Sequence, residues 1–264
     1  MKIDAVVLAG SLNTGPLREC SPARNEALIP IGGHPMVEYV VKALQDLSQI
    51  DRVVIAGPVA ELRFLYGNNP SVGLAESGAT AIESLQNALK TLTQMSHGQV
   101  NGDPGVKQVL VATSDIPLIT PEAIENFLQL CARRPGDLHY PVVPREANER
   151  KYPGVKRTYV KLKDGTFTGG NLFLVNPAIV ERCAAIAQEI VRRRKNPVAL
   201  SRLFGLGFVL KFLFRQLTLK EAEEKVSELL GIRGIAVIST YPEVGVDVDK
   251  PSDLRLAEKV LLTN

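Results

Sequence analysis

The sequence predicts an α/β protein. Short apolar runs rich in Val and Ile recur along the chain, and longer segments of helical pattern separate them. The first apolar run, Val6-Val7-Leu8-Ala9, passes at once into a loop holding Gly10, Ser11 and Gly15. At 264 residues the chain is long enough to bury a full core. With no internal repeat and no low-complexity linker, one domain over 1–264 with a helical insertion at about 178–231 is the simplest division.

Strands are expected at Ile3–Leu8, Arg52–Ala56, Gln108–Ala112 and Leu138–Val143, with helices between them at Pro35–Leu47, Thr80–Thr93 and Pro121–Arg133. The last helix has a clear start: Thr120 is placed as N-cap, Pro121 at the first helical position and Glu122 near the positive helix end. Gly98–Gly105 has the composition of a turn-rich surface loop. After Gly154, "VKRTYVKLKDGTFTGGNLFLVNP" alternates as two strands joined near Asp164-Gly165. Ala178 to Gly231 has helical character throughout, in about three segments, and a strand at Ile235–Ile238 and a helix at Pro251–Leu262 close the chain.

Composition narrows the function. Hydrophobic content of 45% with 22% charged residues fits a soluble globular protein, and a net charge of +3 is too small to point to nucleic acid. Cys20, Cys131 and Cys183 are far apart, as are His34, His97 and His139, so neither a disulfide framework nor a zinc-type spacing is present. The short N-terminal apolar run has no signal-peptide core, and a cytoplasmic location is expected.

Three stretches can carry chemistry. In the first loop, glycines let backbone N–H groups approach phosphate oxygens, and Arg18 offers a planar fork to phosphate. The loop matches neither a P-loop nor a dinucleotide fingerprint, and a plain glycine-rich surface loop is the competing reading. In "VLVATSDIPLIT" an apolar strand ends at Asp115, where open α/β sheets bind ligands. One carboxylate there suits Mg²⁺, which fills its shell with phosphate oxygens and water; a turn or N-cap aspartate is the alternative. In "GVDVDKPSDLRLAEKVL", Asp247 and Asp249 alternate with valines and project to one side of an extended segment. Two such carboxylates repel unless a cation, or a lysine such as Lys250, lies between them, and Asp249 can also be read as a cap of the last helix.

Together, "VVLAGS…G..R", "ALIPIGGHPMVEYVVKAL", "VATSDIPLIT", "GGNLFLVNP" and "VDVDKPSDLRLAE" resemble the nucleotidyltransferase superfamily with the nucleotide-diphospho-sugar transferase fold. Its MobA-like branch, which includes molybdenum-cofactor cytidylyl- and guanylyltransferases, is the nearest in pattern. The resemblance implies a three-layer α/β/α architecture around a mixed, mostly parallel sheet. It also implies transfer of a nucleoside monophosphate from a nucleoside triphosphate to a small phosphorylated acceptor, with release of pyrophosphate. Ala9, Gly10, Ser11, Gly15 and Arg18 would wrap the triphosphate, and Mg²⁺ would sit on Asp115 with Asp247 and then Asp249. Gly78, Thr80 and Ser84 fall where base and ribose are contacted, and Asn171 where the acceptor or sugar is touched; turn geometry alone also accounts for Gly78 and Gly170.

One departure stands out. The family pattern has a lysine before "ALIPIGG", and here the sequence reads Arg24-Asn25-Glu26. Two unit charges about 4 Å apart interact by roughly 4 kcal/mol at an effective dielectric of about 20, so the reversed charge needs compensation. Arg24 or Arg18 replaces the lysine; or Glu26 ligates a metal or receives a cationic group; or turnover is lost and a nucleotide-binding protein remains. A glycosyltransferase of the same fold is a further alternative, although its DxD motif belongs where this chain has Ser114-Asp115-Ile116.

The insertion has no counterpart in that pattern. Phe204, Phe208 and Phe212 recur at four-residue spacing, and the helix around them is apolar nearly all round, which predicts a buried helix. Two other readings compete: a homodimer interface, and a peripheral membrane or lipid contact through 192–215, where Arg192, Arg193, Arg194 and Lys195 would attract anionic head groups. Charge at a helix C-terminus before Asn196-Pro197 is the plainer account of the basic run. Arg202 and Lys211 interrupt a run too short to span a bilayer.

Overall fold

Ala5, Val7 and Ala9 belong to one buried cluster and Val6 to another, and all four are fully buried. Burial on both faces places the first strand at the centre of a covered, parallel sheet. The structure is a computed structural model and describes residues 2–96, 108–193 and 203–263. Strand β1 (Ile3–Leu8) lies between β4 (Ile50–Gly57) and β6 (Val109–Thr113), parallel to both, with Leu8 level with Ala56 on one side and Thr113 on the other. Strand β5 (Val72–Glu76) extends the parallel half beyond β4.

Beyond β6 the sheet becomes mixed. Strand β10 (Leu172–Val175) runs antiparallel between β6 and β7 (Leu138–Pro144), and β11 (Gly234–Ile238) runs parallel to β7. Strand β9 (Gly165–Gly169) pairs with β7 and forms a hairpin with β8 (Val160–Leu162). The order is β5-β4-β1-β6-β10-β7-β9-β8, with β11 also on β7. A separate two-stranded ribbon pairs β2 (Pro30–Ile31) with β3 (His34–Pro35).

Helices α1 (Met36–Gln45), α2 (Val59–Tyr66) and α4 (Pro121–Ala132) bury their apolar sides in the cluster that holds Ala5, Val7, Ile55 and Leu110. Helices α3 (Ala81–Ser96) and α6 (Pro177–Arg193) cover the other face, against Val6, Val54 and Val111. The short α5 (Arg145–Lys151) follows β7. Among the described residues the insertion between β10 and β11 holds α6, α7 (Leu206–Leu213) and α8 (Leu219–Leu230), and α9 (Pro251–Leu262) follows β11. The architecture is the expected α/β/α with a mixed, mostly parallel sheet and a helical insertion.

Three expectations need correction or limit. "VKRTYVKLKDGTFTGGNLFLVNP" holds three strands rather than two, because the chain breaks at Gly169–Asn171. There a side chain on Gly169 would meet the Tyr140 ring, and one on Gly170 would come within 2.8 Å of both Pro141 and the Val244 carbonyl. The helix around Phe208 is not buried: only Val209 of α7 is, and Gly205 (φ +89°) separates Phe204 from it, although the Phe204 and Phe208 rings still stack at 5.1 Å. The Gly98–Gly105 loop, Arg194 to Pro197 and Arg202 lie outside the described residues.

Candidate active site

The carboxyl ends of β1 and β6 lie side by side, so the loops after them leave the sheet together. The Ser114 N–H donates to the Leu8 carbonyl at 3.0 Å, and the Ala9 N–H to the Ala56 carbonyl at 2.7 Å. From β1 the chain passes to β4 on one side, while β6 lies on the other. This is the point where strand order reverses and open sheets leave a crevice.

The loop after β1 is tied down by its own return. Leu12 bridges Asn25, the Asn13 N–H donates to the Arg24 carbonyl at 2.9 Å, and the Glu26 N–H to the Ser11 carbonyl at 3.0 Å. Asn13 is fully buried, and its Nδ2 donates to the carbonyls of Ser21 and Ala23, both at 3.0 Å. Arg24 and Glu26 are therefore neighbours of the glycine loop. Gly10 is required by packing, since a side chain there would lie 2.6 Å from the Ser77 Cβ; at Gly15 nothing stands within 4 Å. Arg18 is exposed and its Nη1 donates to the Asn13 carbonyl at 3.4 Å, and Arg24 is exposed as well.

The turn after β5 packs against that loop. Ser84 is buried and accepts from the Gly78 N–H at 3.0 Å, while its hydroxyl donates to the Thr80 carbonyl. The Thr80 hydroxyl accepts from the Glu83 N–H and from Gln188 of α6, so it caps α3 and joins two helices. Both Thr80 and Ser84 thus have structural bonds of their own, with Gly78 held between them.

Three carboxylates converge. Asp115 follows β6, and Asp247 and Asp249 come from the segment before α9; one oxygen from each lies within 4.8 Å of the others. The alternation expected at 246–249 explains this: Val246 and Val248 are buried with Leu17, Ile31 and Leu254, which turns both aspartates the other way. The Val248 N–H donates to the Asp115 carbonyl at 2.8 Å and locks the two segments together. Asp115 accepts from the Thr113 hydroxyl and does not cap α4, whose N-cap is Thr120 as expected. Asp249 does not cap α9 either; Asp253 turns back to accept the Asp249 N–H at 3.3 Å. Asn171 lies at the same end, its carbonyl accepting from the Thr113 N–H at 3.1 Å.

The electrostatics follow from that crowding. Burial, with the charges of Asp247 and Asp249, pushes the Asp115 carboxyl up to about 7. Asp249 is raised by burial and by Asp247, and Glu26 by burial and then by the charge of Asp249, so Glu26 is within electrostatic reach of the cluster. The cation that meets the aspartates is Arg157, not Lys250. Arg157 pairs with Asp247 and also donates to the carbonyls of Gly245 and Asp247, whereas Lys250 lies 3.8 Å from Asp253 and donates to the Lys156 carbonyl. In sequence Arg157 is one of several cations in an alternating stretch, and no motif distinguishes it. The residues next to these two segments, Lys156 and Lys250, line a cavity of about 670 Å³ together with Arg255, Lys259 and Asp253.

The sequence matches the MobA-like NTP transferase domain over residues 5–204. The chain belongs to the MobA-like NTP transferases. A solved structure of a hypothetical transferase from Thermus thermophilus is 37% identical, with a TM-score of 0.75 over 96% of this chain and all of that one. The structure of a 4-diphosphocytidyl-2C-methyl-D-erythritol synthase shares the fold, with a TM-score of 0.57 at 12% identity, covering 99% of each chain. Two 2-C-methyl-D-erythritol 4-phosphate cytidylyltransferases, from Chlorobium luteolum and Chlorobaculum tepidum, are 25% and 27% identical over 134 residues, 48% of this chain. This MobA-like chain spans about half the length of these curated relatives, 55% and 53%.

Proposed function

We propose that this protein is a Mg²⁺-dependent nucleotidyltransferase, which moves a nucleoside monophosphate from a nucleoside triphosphate to a small phosphorylated acceptor. The observation that carries the reading is the convergence of Asp115, Asp247 and Asp249 beside the glycine loop, at the crevice of a MobA-like sheet. Three carboxylate oxygens so close suit a hard cation, and the raised carboxyl of Asp115 marks a site that a cation would relieve. Bound Mg²⁺ would neutralise phosphate charge as it develops during transfer.

An acceptor phosphate oxygen attacks the α-phosphorus, the bond to the β-phosphate breaks, and pyrophosphate leaves. That exchange needs no nucleophile from the protein; it needs alignment and charge neutralisation. The Gly10–Gly15 backbone and Arg18 would hold the triphosphate, and the open side of Gly15 leaves room for it. Arg157 holds Asp247 in place. The cavity of Lys156, Lys250, Arg255 and Lys259 suits the anionic end of an acceptor. The names of the curated relatives join a cytidylyl group to a phosphate monoester, so CTP is the first triphosphate to try.

The test is pyrophosphate release from each common nucleoside triphosphate against a panel of phosphomonoesters with Mg²⁺, in wild type, Asp115→Ala and Glu26→Lys. Activity lost in Asp115→Ala supports the reading, and activity unchanged there overturns the metal assignment. Glu26 favours a second reading, since it puts a negative charge within electrostatic reach of Asp249 where the family pattern has a lysine. A nucleotide-binding protein without turnover would bind triphosphate yet release no pyrophosphate until Glu26→Lys restores the charge.

A further inference from the structure

Helix α7 presents its apolar residues to solvent. Leu206, Leu213 and Phe214 are 66, 58 and 72% exposed, and Leu210 and Phe212 are exposed too. Five large apolar side chains within nine residues make a patch of the kind that marks an interaction site. The patch is held in place. Phe204 stacks on Phe208, Val209 is buried, and Leu217 behind it is buried with its carbonyl accepting from the Lys163 N–H at 2.9 Å.

Its rim is cationic. Residues 203–220 carry Lys211, Arg215 and Lys220 and no acid, and exposed Lys163, in the turn after β8, lies beside Leu217. The acids beside it are already committed, and Glu224 lies 3.8 Å from Lys220. Asp164 accepts from the Leu219 N–H at 3.0 Å, and Glu221 closes the capping box of α8 and pairs with Lys211 at 2.6 Å. In the sequence, residues 190–220 hold eight Lys and Arg without one Asp or Glu, which leaves the rest of the chain with more acids than bases.

We propose that α7 is a membrane-interface helix that seats the protein on an anionic lipid surface. Apolar side chains ringed by lysine and arginine match acyl chains beneath anionic head groups. A second copy fits worse, because a two-fold contact would bring Arg215 and Lys163 of both copies towards one patch, while the acids beside it, Glu221 and Glu224, already pair with Lys211 and Lys220. The helix lies on the surface and does not span it: eight residues cover about 12 Å against a hydrocarbon core of about 30 Å. Among the described residues no helix is long and apolar enough to cross a membrane. This contact is separate from the chemistry of the carboxylate site, and its test reads binding alone.

The experiment is co-sedimentation of the full chain with phosphatidylcholine vesicles, with and without about one third phosphatidylglycerol, at low and high salt. The expected result is binding to the anionic vesicles only, weakened by salt, and at least about tenfold weaker in Phe214→Asp. The chain has no tryptophan, so Phe214→Trp supplies a single probe, and its emission shifts to the blue on anionic vesicles. Absence of binding, equal binding by Phe214→Asp, or an unmoved Phe214→Trp spectrum would overturn the proposal. So would light scattering that shows a wild-type dimer and a Phe214→Asp monomer, since the occupant would then be a second copy.

Discussion

Asp115 carries an unfavourable charge by design of its surroundings. Its carboxyl titrates at about 7 in the fold against 3.8 for an ordinary aspartate, so between those values the folded chain holds a proton that the unfolded chain has released. The stability this group contributes is complete below about pH 4 and is lost as pH rises through about 7. Mg²⁺ competes with that proton, so its stabilising effect should grow up to about pH 7 and then level off. Thermal melts at about pH 5 and pH 8, with and without Mg²⁺, check this: Asp115→Asn should remove the Mg²⁺ shift and flatten the pH trend, leaving the part that the raised carboxyls of Asp249 and Glu26 contribute. Arg157 is a positioning residue, because it acts by fixing Asp247 and the loop from Gly245. Arg157→Ala should weaken Mg²⁺ affinity about 10–100-fold, and Arg157→Lys should recover part of that loss. Equal Mg²⁺ dependence in all three proteins would leave Arg157 with packing alone.

At the scale of the element, turns and breaks decide where side chains arrive. Gly170 lies where β9 gives way to β10, wedged between Pro141 and the Val244 carbonyl. Gly170→Ala should cost about 1–3 kcal/mol by overpacking, readable as a lowered denaturation midpoint. The strands with two-sided burial, β1 and β6, were legible because each is a short run that is apolar but for one residue, and α4 and α9 because Pro121 and Pro251 mark their starts. The short α2, the edge strand β5 and the seven-residue α5 were not legible. In β5, Gly73 weakens the apolar signal but fits beneath Met95 and Val54, a reason that exists only in three dimensions. For α7 the composition was clear and its meaning was not, because an apolar periodicity looks the same whether the helix is buried or exposed.

Across the whole molecule, the site depends on segments more than 100 residues apart meeting at the carboxyl end of one sheet. Alternation of Val246 and Val248 with Asp247 and Asp249 told which way the aspartates point, but their partner had to come from the fold. The same holds for Arg157 and Asn13, which bond mainly to backbone carbonyls and carry no motif. Glu26 was visible as a departure from the family pattern, and the fold adds that the charge of Asp249 reaches it. The account rests on these carboxylates holding one divalent cation that a triphosphate shares. Calorimetric titration of CTP, and of the other common triphosphates, into wild type and Asp247→Asn tests it most directly, each with Mg²⁺ and with EDTA. Wild-type affinity should fall at least about tenfold when Mg²⁺ is removed, and Asp247→Asn should bind as weakly in both conditions. Equal, Mg²⁺-dependent affinity in the variant and the wild type would contradict the account.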